Sequence, residues 1–237
     1  MNKNIAHSPQ LVVALDFSTA QEALSLAEKL KGVVPWVKVG LELFTAEGPS
    51  VVSALKDMDF RVFLDLKFHD IPNTVKGAAK SAACLKADLT TLHHAGGMRM
   101  AEAALEGISE AGHPTLAFAI SILTSTSPEE AGYASAAEVA EAVAAKALQA
   151  KAWGLQGIVC SGHEAAAVKA ACGRDFLCLC PGIRLEETAD DQRRVMTPAM
   201  AVAAGADFLV MGRPIARAAD PRRAAEAAVE NMVSAAK

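Results

Sequence analysis

The stretch Arg61-Val-Phe-Leu-Asp-Leu-Lys67, followed by Phe68-His-Asp-Ile-Pro-Asn-Thr74, decides the fold. Its first half predicts a strand rich in apolar side chains, and an alanine-rich helical stretch follows its second half. The same unit recurs along the chain. Seven further strand candidates, each followed by a helical stretch, are Leu11–Phe17, Trp36–Gly40, Asp88–His94, Thr115–Leu123, Gly157–Ser161, Phe176–Ile183 and Phe208–Arg213.

Eight such units predict an α/β fold, a (β/α)8 TIM barrel that forms a single domain over residues 1–237. Crossover helices cover a parallel sheet, and closure removes its edge strands. An open doubly wound sheet is the alternative. Three helix starts are marked by capping boxes or a capping carboxylate: Thr19-x-x-Glu22, Ser135-x-x-Glu138 and Asp220-Pro221.

Composition narrows the functional classes. The chain is 52% apolar and 21% charged with a formal charge of −4, so it carries no general basic field for nucleic acid or an anionic membrane. It has neither a membrane-length apolar run nor a secretory signal pattern, and a cytoplasmic location is expected. Five cysteines without paired spacing predict small core residues rather than disulfides or zinc ligands: Cys84, Cys160, Cys172, Cys178 and Cys180.

Charged residues occur at the ends of strands that should be apolar. They are Asp16, Lys38, Asp65 and Lys67, all on the first three strands. Side chains alternate along a strand, so Asp65 and Lys67 share one face and point into the barrel mouth, where this fold carries its chemistry. A single pair could be structural. Four buried charges cost several kcal/mol each unless paired, so their accumulation favours a functional site.

Asp70 lies beyond the third strand, in the loop before Pro72. The proline restricts Ile71 to an extended conformation. Asp70 could therefore curl back over its own barrel or reach a neighbouring subunit, and the sequence leaves both open.

A candidate anion site follows the last strand, where Gly212 allows close backbone approach and Arg213 can donate two hydrogen bonds to phosphate. A surface arginine in a turn is the alternative. After the seventh strand, the polar segment 184–194 predicts a lid, or else a plain solvated connection. His93 and His94 are adjacent and face opposite ways, which argues against a joint metal site.

One motif carries a family resemblance. Asp65-Leu-Lys-Phe-His-Asp-Ile-Pro-Asn-Thr74 matches the Asp-x-Lys-x-x-Asp signature and Ile-Pro-x-Thr continuation of the bacterial-type orotidine 5′-phosphate decarboxylase family, which the chain resembles over nearly its whole length. Further matches in family order are Ala14-Leu-Asp-Phe17, Val37-Lys-Val-Gly-Leu-Glu-Leu-Phe44, Leu123-Thr-Ser125, Pro181-Gly-Ile-Arg184, Asp191-Gln-Arg-Arg194 and Gly212-Arg-Pro214.

The resemblance implies a homodimeric barrel that converts orotidine 5′-monophosphate to uridine 5′-monophosphate and carbon dioxide, the last step of de novo pyrimidine biosynthesis, without metal or organic cofactor. Lys67 would donate the proton, within a charge network of Lys38, Asp65, Lys67 and the partner's Asp70. The implied substrate contacts are Asp16 and Lys38 at the ribose, Thr124 and Ser125 near the pyrimidine, Arg184 near the lid, Gln192, Gly212 and Arg213 at the phosphate, Ile71 and Thr74 from the neighbouring chain, and Pro181.

The chemistry fits these residue types. Loss of carbon dioxide from C6 leaves a carbanion with no adjacent carbonyl, so a fixed ammonium must stabilise it electrostatically. Two rivals remain. The related magnesium-using sugar-phosphate decarboxylases and hexulose-phosphate synthases share the motif. The resemblance to them implies an acidic residue at the position of Lys38 to help hold the metal, whereas an ammonium there would repel the cation. A non-catalytic nucleotide-binding barrel is the other.

Overall fold

Eight parallel strands close into a barrel in the order of the sequence, with β8 pairing with β1. The structure is a computed structural model that describes residues 8–185 and 196–234. The strands are β1 (Gln10–Ala14), β2 (Trp36–Gly40), β3 (Arg61–Phe68), β4 (Leu89–His93), β5 (Leu116–Ile120), β6 (Gly157–Val159), β7 (Leu177–Cys180) and β8 (Phe208–Met211). The predicted barrel is confirmed, and the open sheet is excluded.

Helices follow the strands around the barrel. They are α1 (Ala20–Leu30), α2 (Leu41–Glu47), α3 (Ser50–Asp57), α4 (Pro72–Cys84), α5 (Gly97–Ala111), α6 (Ala136–Ala152), α7 (Gly162–Cys172), α8 (Pro198–Ala203), α9 (Arg213–Ala216) and α10 (Pro221–Ser234), with a 3-10 turn at His94–Gly96. Among the described residues, no helix combines the length and apolar character needed to cross a membrane.

The apolar residues form two layers, one between strands and helices and a smaller one inside the barrel. The inner layer is centred on aromatic rings. Trp36 and Phe118 both meet Phe208 edge to face, with centroids 5.2 Å and 5.9 Å apart. These rings fill the barrel below Lys38 and Asp65, which point inward two residues after Trp36 and Phe63. The side chains of Lys38 and Asp65 therefore lie directly above the apolar layer that fills the barrel.

The predicted helix starts are confirmed as caps, but both predicted boxes are only half formed. The side chains of Thr19 and Ser135 accept hydrogen bonds from the backbone amides of Glu22 and Glu138. The return bond of a capping box is replaced in both: the Glu22 carboxylate accepts the hydroxyl of Thr19, and the Glu138 carboxylate accepts the amide of Ala134. The Asp220 carboxylate accepts the amide of Arg223 at 3.0 Å. A complete capping box, which the sequence analysis missed, opens α7 at Ser161 and Glu164.

Four of the five cysteines are buried, as predicted. The prediction is wrong for Cys84, which is exposed. It is the last residue of α4 and lies on the face that turns away from the barrel, whereas its neighbours Ala82 and Ala83 are buried.

Candidate active site

The four predicted strand-end charges meet at the carboxyl end of the barrel and alternate in sign. The Lys38 ammonium lies 2.8 Å from Oδ1 of Asp16 and 4.0 Å from Oδ2 of Asp65. The Lys67 ammonium lies 2.6 Å from the same Oδ2 of Asp65. Asp65 therefore sits between two lysines, and Lys38 sits between two aspartates.

Burial differs along this series. The side chains of Asp65 and Lys38 are 10% and 12% exposed, whereas those of Lys67 and Asp16 are 32% and 55% exposed. The inner pair is sealed against the barrel, where charge interactions are screened least. The outer lysine remains accessible to a molecule that enters from the mouth.

The backbone of Lys67 is not that of a regular strand. Its φ is 50°, in the left-handed region, and the β3–β4 register slips between Leu64, opposite Thr90, and Phe68, opposite Leu92. The alternating pattern predicted a regular strand through Lys67, and this prediction is wrong. The irregularity redirects the end of the strand, as bulges near functional sites often do, and the Lys67 ammonium still reaches Asp65.

A small cavity opens beside the charges. Its volume is about 210 Å³, and its lining includes Lys38, Asp65 and Lys67 on one side. Leu123, Thr124, Ser125 and Pro181, which follow β5 and β7, line the other side, and Phe63, Ile120, Ile122, Val159, Leu179 and Val210 complete the wall. Six of the predicted site residues thus converge on one cavity of mixed polar and apolar character, a combination typical of ligand sites.

Asp70 is not part of this cluster within one chain. Its carboxylate is exposed and accepts the amide of Ile71 at 2.7 Å. Ile71 itself is 66% exposed, and Thr74 is exposed in the first turn of α4. These three residues form a surface patch, which we call the Asp70 patch, that one barrel leaves uncovered.

Two of the predicted anion residues, Gly212 and Arg213, directly follow β8, which pairs with β1. A Cβ added to Gly212 would lie 3.6 Å from Oδ2 of Asp16, so this glycine adjoins the charged series. Arg213 begins α9 and is partly buried. Arg184 is 7% exposed, and its amide donates to the carbonyl of Met196 at 3.0 Å. Gln192 and most of the predicted lid lie outside the described residues.

Two histidines flank the end of β4 and face different ways, as predicted. The His93 ring lies 5.2 Å from that of His69, near Lys67, and His94 stacks on Trp153 at 4.7 Å. Burial, followed by the charges of His69 and Lys67, lowers the pKa of His93. Across residues 8–185 and 196–234, no group of three or more His, Cys, Asp or Glu side chains is placed to hold a metal ion.

Sequence reasoning missed two residues of the site. Thr91 is fully buried on β4, where its hydroxyl contacts both Asp65 and Lys67. Gly40 ends β2 opposite Asp65, and a Cβ there would lie 2.8 Å from the Lys38 ammonium. The alternation along β4 puts Thr91 on the inward face with Leu89, so a polar residue at that position was a readable signal. Gly40 gave none.

Known proteins resemble the chain in sequence and in fold. A sequence model of the "Orotidine 5′-phosphate decarboxylase / HUMPS family" matches residues 9–228. The chain is 53% identical to the orotidine 5′-phosphate decarboxylase of Nitratidesulfovibrio vulgaris strain DP4, over 95% of this chain and 98% of that protein. It is 54% identical to the enzyme of that name from Maridesulfovibrio salexigens, over 95% and 99%.

Two solved structures extend the likeness to three dimensions. The orotidine 5′-phosphate decarboxylase of Lactobacillus acidophilus superposes with a TM-score of 0.82 at 36% identity and covers 95% of this chain and 99% of its own. An uncharacterized conserved protein from Geobacillus kaustophilus gives a TM-score of 0.80 at 41% identity, over 94% and 99%.

Proposed function

Because the chain belongs to the orotidine 5′-phosphate decarboxylase / HUMPS family, we propose that Lys67, held by Asp65, is the proton donor of its reaction. The chain is an orotidine 5′-phosphate decarboxylase, a carboxy-lyase that forms uridine 5′-monophosphate in pyrimidine biosynthesis. The observation that carries the residue assignment is the 2.6 Å contact between the Lys67 ammonium and Asp65 at the edge of the cavity.

The reaction breaks the bond between C6 of the pyrimidine and its carboxylate. Carbon dioxide leaves without the bonding electron pair, which stays on C6. A lysine ammonium beside C6 stabilises this charge and then transfers one proton to the carbon, and solvent later returns the proton to the amine. Asp65 and Lys38 hold the donor in place, because the inner carboxylate is fixed between two ammonium groups.

The charges of the site also argue against the chemistry of the magnesium-using branch of the family. It needs oxygen ligands around a divalent cation, and Lys38 puts an ammonium 4.0 Å from Asp65 and 2.8 Å from Asp16. A positive group between the two carboxylates opposes a second cation there. The charge of Lys38 therefore favours the cofactor-independent reaction.

We further propose that the chain works as a homodimer in which the Asp70 patch completes the partner's site. Ile71 is apolar and 66% exposed, and the only hydrogen bond described for the exposed Asp70 carboxylate is with the amide of the next residue. A partner chain would bury the Ile71 side chain and take the Asp70 carboxylate into its own active site. In this proposal Gln192, Gly212 and Arg213 hold the phosphate, and Arg184 lies near the lid. Residues 1–237 act as one domain, and the location is cytoplasmic.

The donor role is tested by following the loss of orotidine 5′-monophosphate absorbance with excess chelator. We expect full wild-type turnover, and a fall in kcat of about 10²-fold to 10⁴-fold in Lys67→Ala, the range that a lost general acid produces. Affinity for uridine 5′-monophosphate should change modestly. Lys80→Ala, which removes an exposed lysine paired with Glu110, is the control. Undiminished turnover in Lys67→Ala, or turnover that the chelator abolishes, would refute the assignment.

The shared site is tested by mixing Lys67→Ala and Asp70→Asn chains through refolding. If Asp70 serves the partner, one of the two sites in each mixed dimer is intact, and an equal mixture recovers about one quarter of wild-type activity. If Asp70 serves its own chain, every site stays defective. Absence of recovery in a mixture shown to contain mixed dimers would contradict the proposal.

A further inference from the structure

The hydroxyl of Thr91 joins the two central residues of the site. Thr91 is fully buried on the inward face of β4. Its hydroxyl donates to Oδ1 of Asp65 at 2.8 Å and accepts the backbone amide of Lys67 at 3.1 Å. One side chain thus fixes the carboxylate that binds the Lys67 ammonium and the backbone from which that ammonium projects.

The backbone at Lys67 needs such a contact. Its left-handed φ of 50° and the register slip after Leu64 take the Lys67 amide out of the regular β3–β4 ladder. A buried amide without a partner is costly, and a non-glycine residue keeps a left-handed conformation only where its surroundings hold it. The Thr91 hydroxyl is the acceptor that β4 supplies at this point.

The contacts also close a ring. Thr91 is hydrogen-bonded to the backbone amide of Lys67 and to Oδ1 of Asp65. The Lys67 ammonium is hydrogen-bonded to Oδ2 of the same carboxylate. Rotation of the Asp65 carboxylate or a shift of the bulge would break at least one of the three contacts. The ammonium position is therefore coupled to one hydroxyl group.

We propose that Thr91 is a positioning residue that sets the place of the Lys67 ammonium against the reacting carbon. The inference rests on the proposed function, because it presumes that Lys67 is the proton donor. Thr91 acts through Asp65 and Lys67, since it is fully buried and is not among the residues that line the cavity. Its removal should therefore lower turnover with little effect on substrate binding.

The chain offers a matched control in the neighbouring Thr90. It is 1% exposed, and its hydroxyl donates to the carbonyl of Leu64 at 3.0 Å. Alternation turns it to the opposite face of β4 from Thr91. A valine at either position removes one buried hydroxyl and keeps the side-chain shape, but only the change at position 91 touches the Asp65–Lys67 pair.

The experiment compares Thr91→Val, Thr91→Ser and Thr90→Val with the wild type for kcat, KM, inhibition by uridine 5′-monophosphate and Tm. We expect Thr91→Val to lose about 10-fold to 100-fold in kcat, the effect of a small misplacement of a reacting group, with KM and inhibition within a few-fold. Thr91→Ser keeps the hydroxyl and should keep most of the turnover. Thr90→Val should lower Tm comparably while keeping kcat.

Three results would overturn the inference: a near wild-type kcat in Thr91→Val, an equal loss in Thr90→Val, or a serine variant as slow as the valine variant. If Thr91→Val does not fold, Thr91→Ser against Thr91→Ala makes the same comparison. An inactive wild type would instead contradict the proposed function, so the two failures are distinguishable.

Discussion

Gly40 is a single residue whose missing side chain makes room for the site. Its φ of −95° is open to any residue, so backbone strain does not explain the glycine. Space does, because an added Cβ would lie 2.8 Å from the Lys38 ammonium and 3.3 Å from Oδ1 of Asp16. A methyl group at this position must push the flexible end of Lys38 away, while the backbone can stay in place.

We therefore predict that Gly40→Ala lowers kcat/KM by about tenfold or more through displacement of Lys38, with little change in Tm. Steady-state kinetics and thermal unfolding measure the two effects. Gly77→Ala is the control, since this exposed glycine of α4 has open space where its Cβ would go. It should be stabilising by about 0.4–1 kcal/mol and leave turnover intact. Unchanged kcat/KM in Gly40→Ala would contradict the steric argument.

The sequence predicted the charged members of the site better than their supports. Asp65 and Lys38 could be predicted because charged residues are rare on an apolar strand, and the alternation of side chains determines which of them point into the barrel. Alternation along β4 marks Thr91 as a polar residue on the inward face, but its contacts with Asp65 and Lys67, like the place of Gly40 opposite Asp65, depend on the register between strands. The sequence pattern does not contain that register. The bulge at Lys67 is likewise set by pairing with β4. That Asp70 serves the site of a second chain is a proposal.

Among the secondary structure elements, a repeated contact joins odd strands to even ones at the amino-terminal end of the barrel. The residue just before β4, β6 or β8 uses its side chain to accept a backbone amide of the preceding strand. The pairs are Asp88 with Val62 at 2.8 Å, Gln156 with Ala117 at 2.9 Å and Asp207 with Cys178 at 2.6 Å. Each contact satisfies an amide near the start of a strand and fixes the register of the pair.

Asp88→Ala should destabilise the barrel without slowing the chemistry. The change leaves the Val62 amide and the Lys56 ammonium without their shared carboxylate, and an unsatisfied partly buried donor costs about 1–3 kcal/mol. Urea unfolding measures the loss, and kcat per folded molecule should not change, because the site lies at the other end of the barrel. Asp175→Ala removes an exposed aspartate and is the control. Equal stabilities of the two variants would contradict the role of Asp88.

Strand order was predictable from the sequence, but strand ends were not. Eight alternating units predict a barrel because closing a parallel sheet of eight strands leaves no unpaired edge strand. The apolar pattern, however, continues past the last ladder bond. After Cys180 the run of β7 continues to Ile183, yet the ladder stops at Cys180 and Ile183 makes an isolated bridge with Met196. The predicted strands β1, β5 and β8 also extend beyond their observed ends, and the extra residues lie in loops that contribute to the site.

Among the described residues, three histidines should make the stability of the protein depend on pH. Burial is the largest cause that lowers the pKa of His93, His94 and His113 from 6.5. The folded state therefore binds fewer protons than the unfolded state, so these groups contribute stability above pH 6.5 that is lost as pH falls through their folded pKa values. Burial raises the pKa of Asp207 above 3.8. Its effect on stability therefore has the opposite sign to that of the histidines, because the stability that Asp207 contributes grows as pH falls.

His94 offers the cleanest test of this dependence, because it lies away from the charged cluster and stacks on Trp153. His94→Phe keeps a ring for the stack and removes the titrating group, together with the side-chain hydrogen bond between His94 and Gln149. Between about pH 8 and about pH 5.5, the free energy of unfolding of the wild type should fall, and the fall should be smaller in the variant, which lacks the titrating group. Urea unfolding at both pH values measures the two slopes, and the comparison at the higher pH corrects for any change in packing. Equal slopes would show that burial of the His94 ring does not couple its protonation to folding.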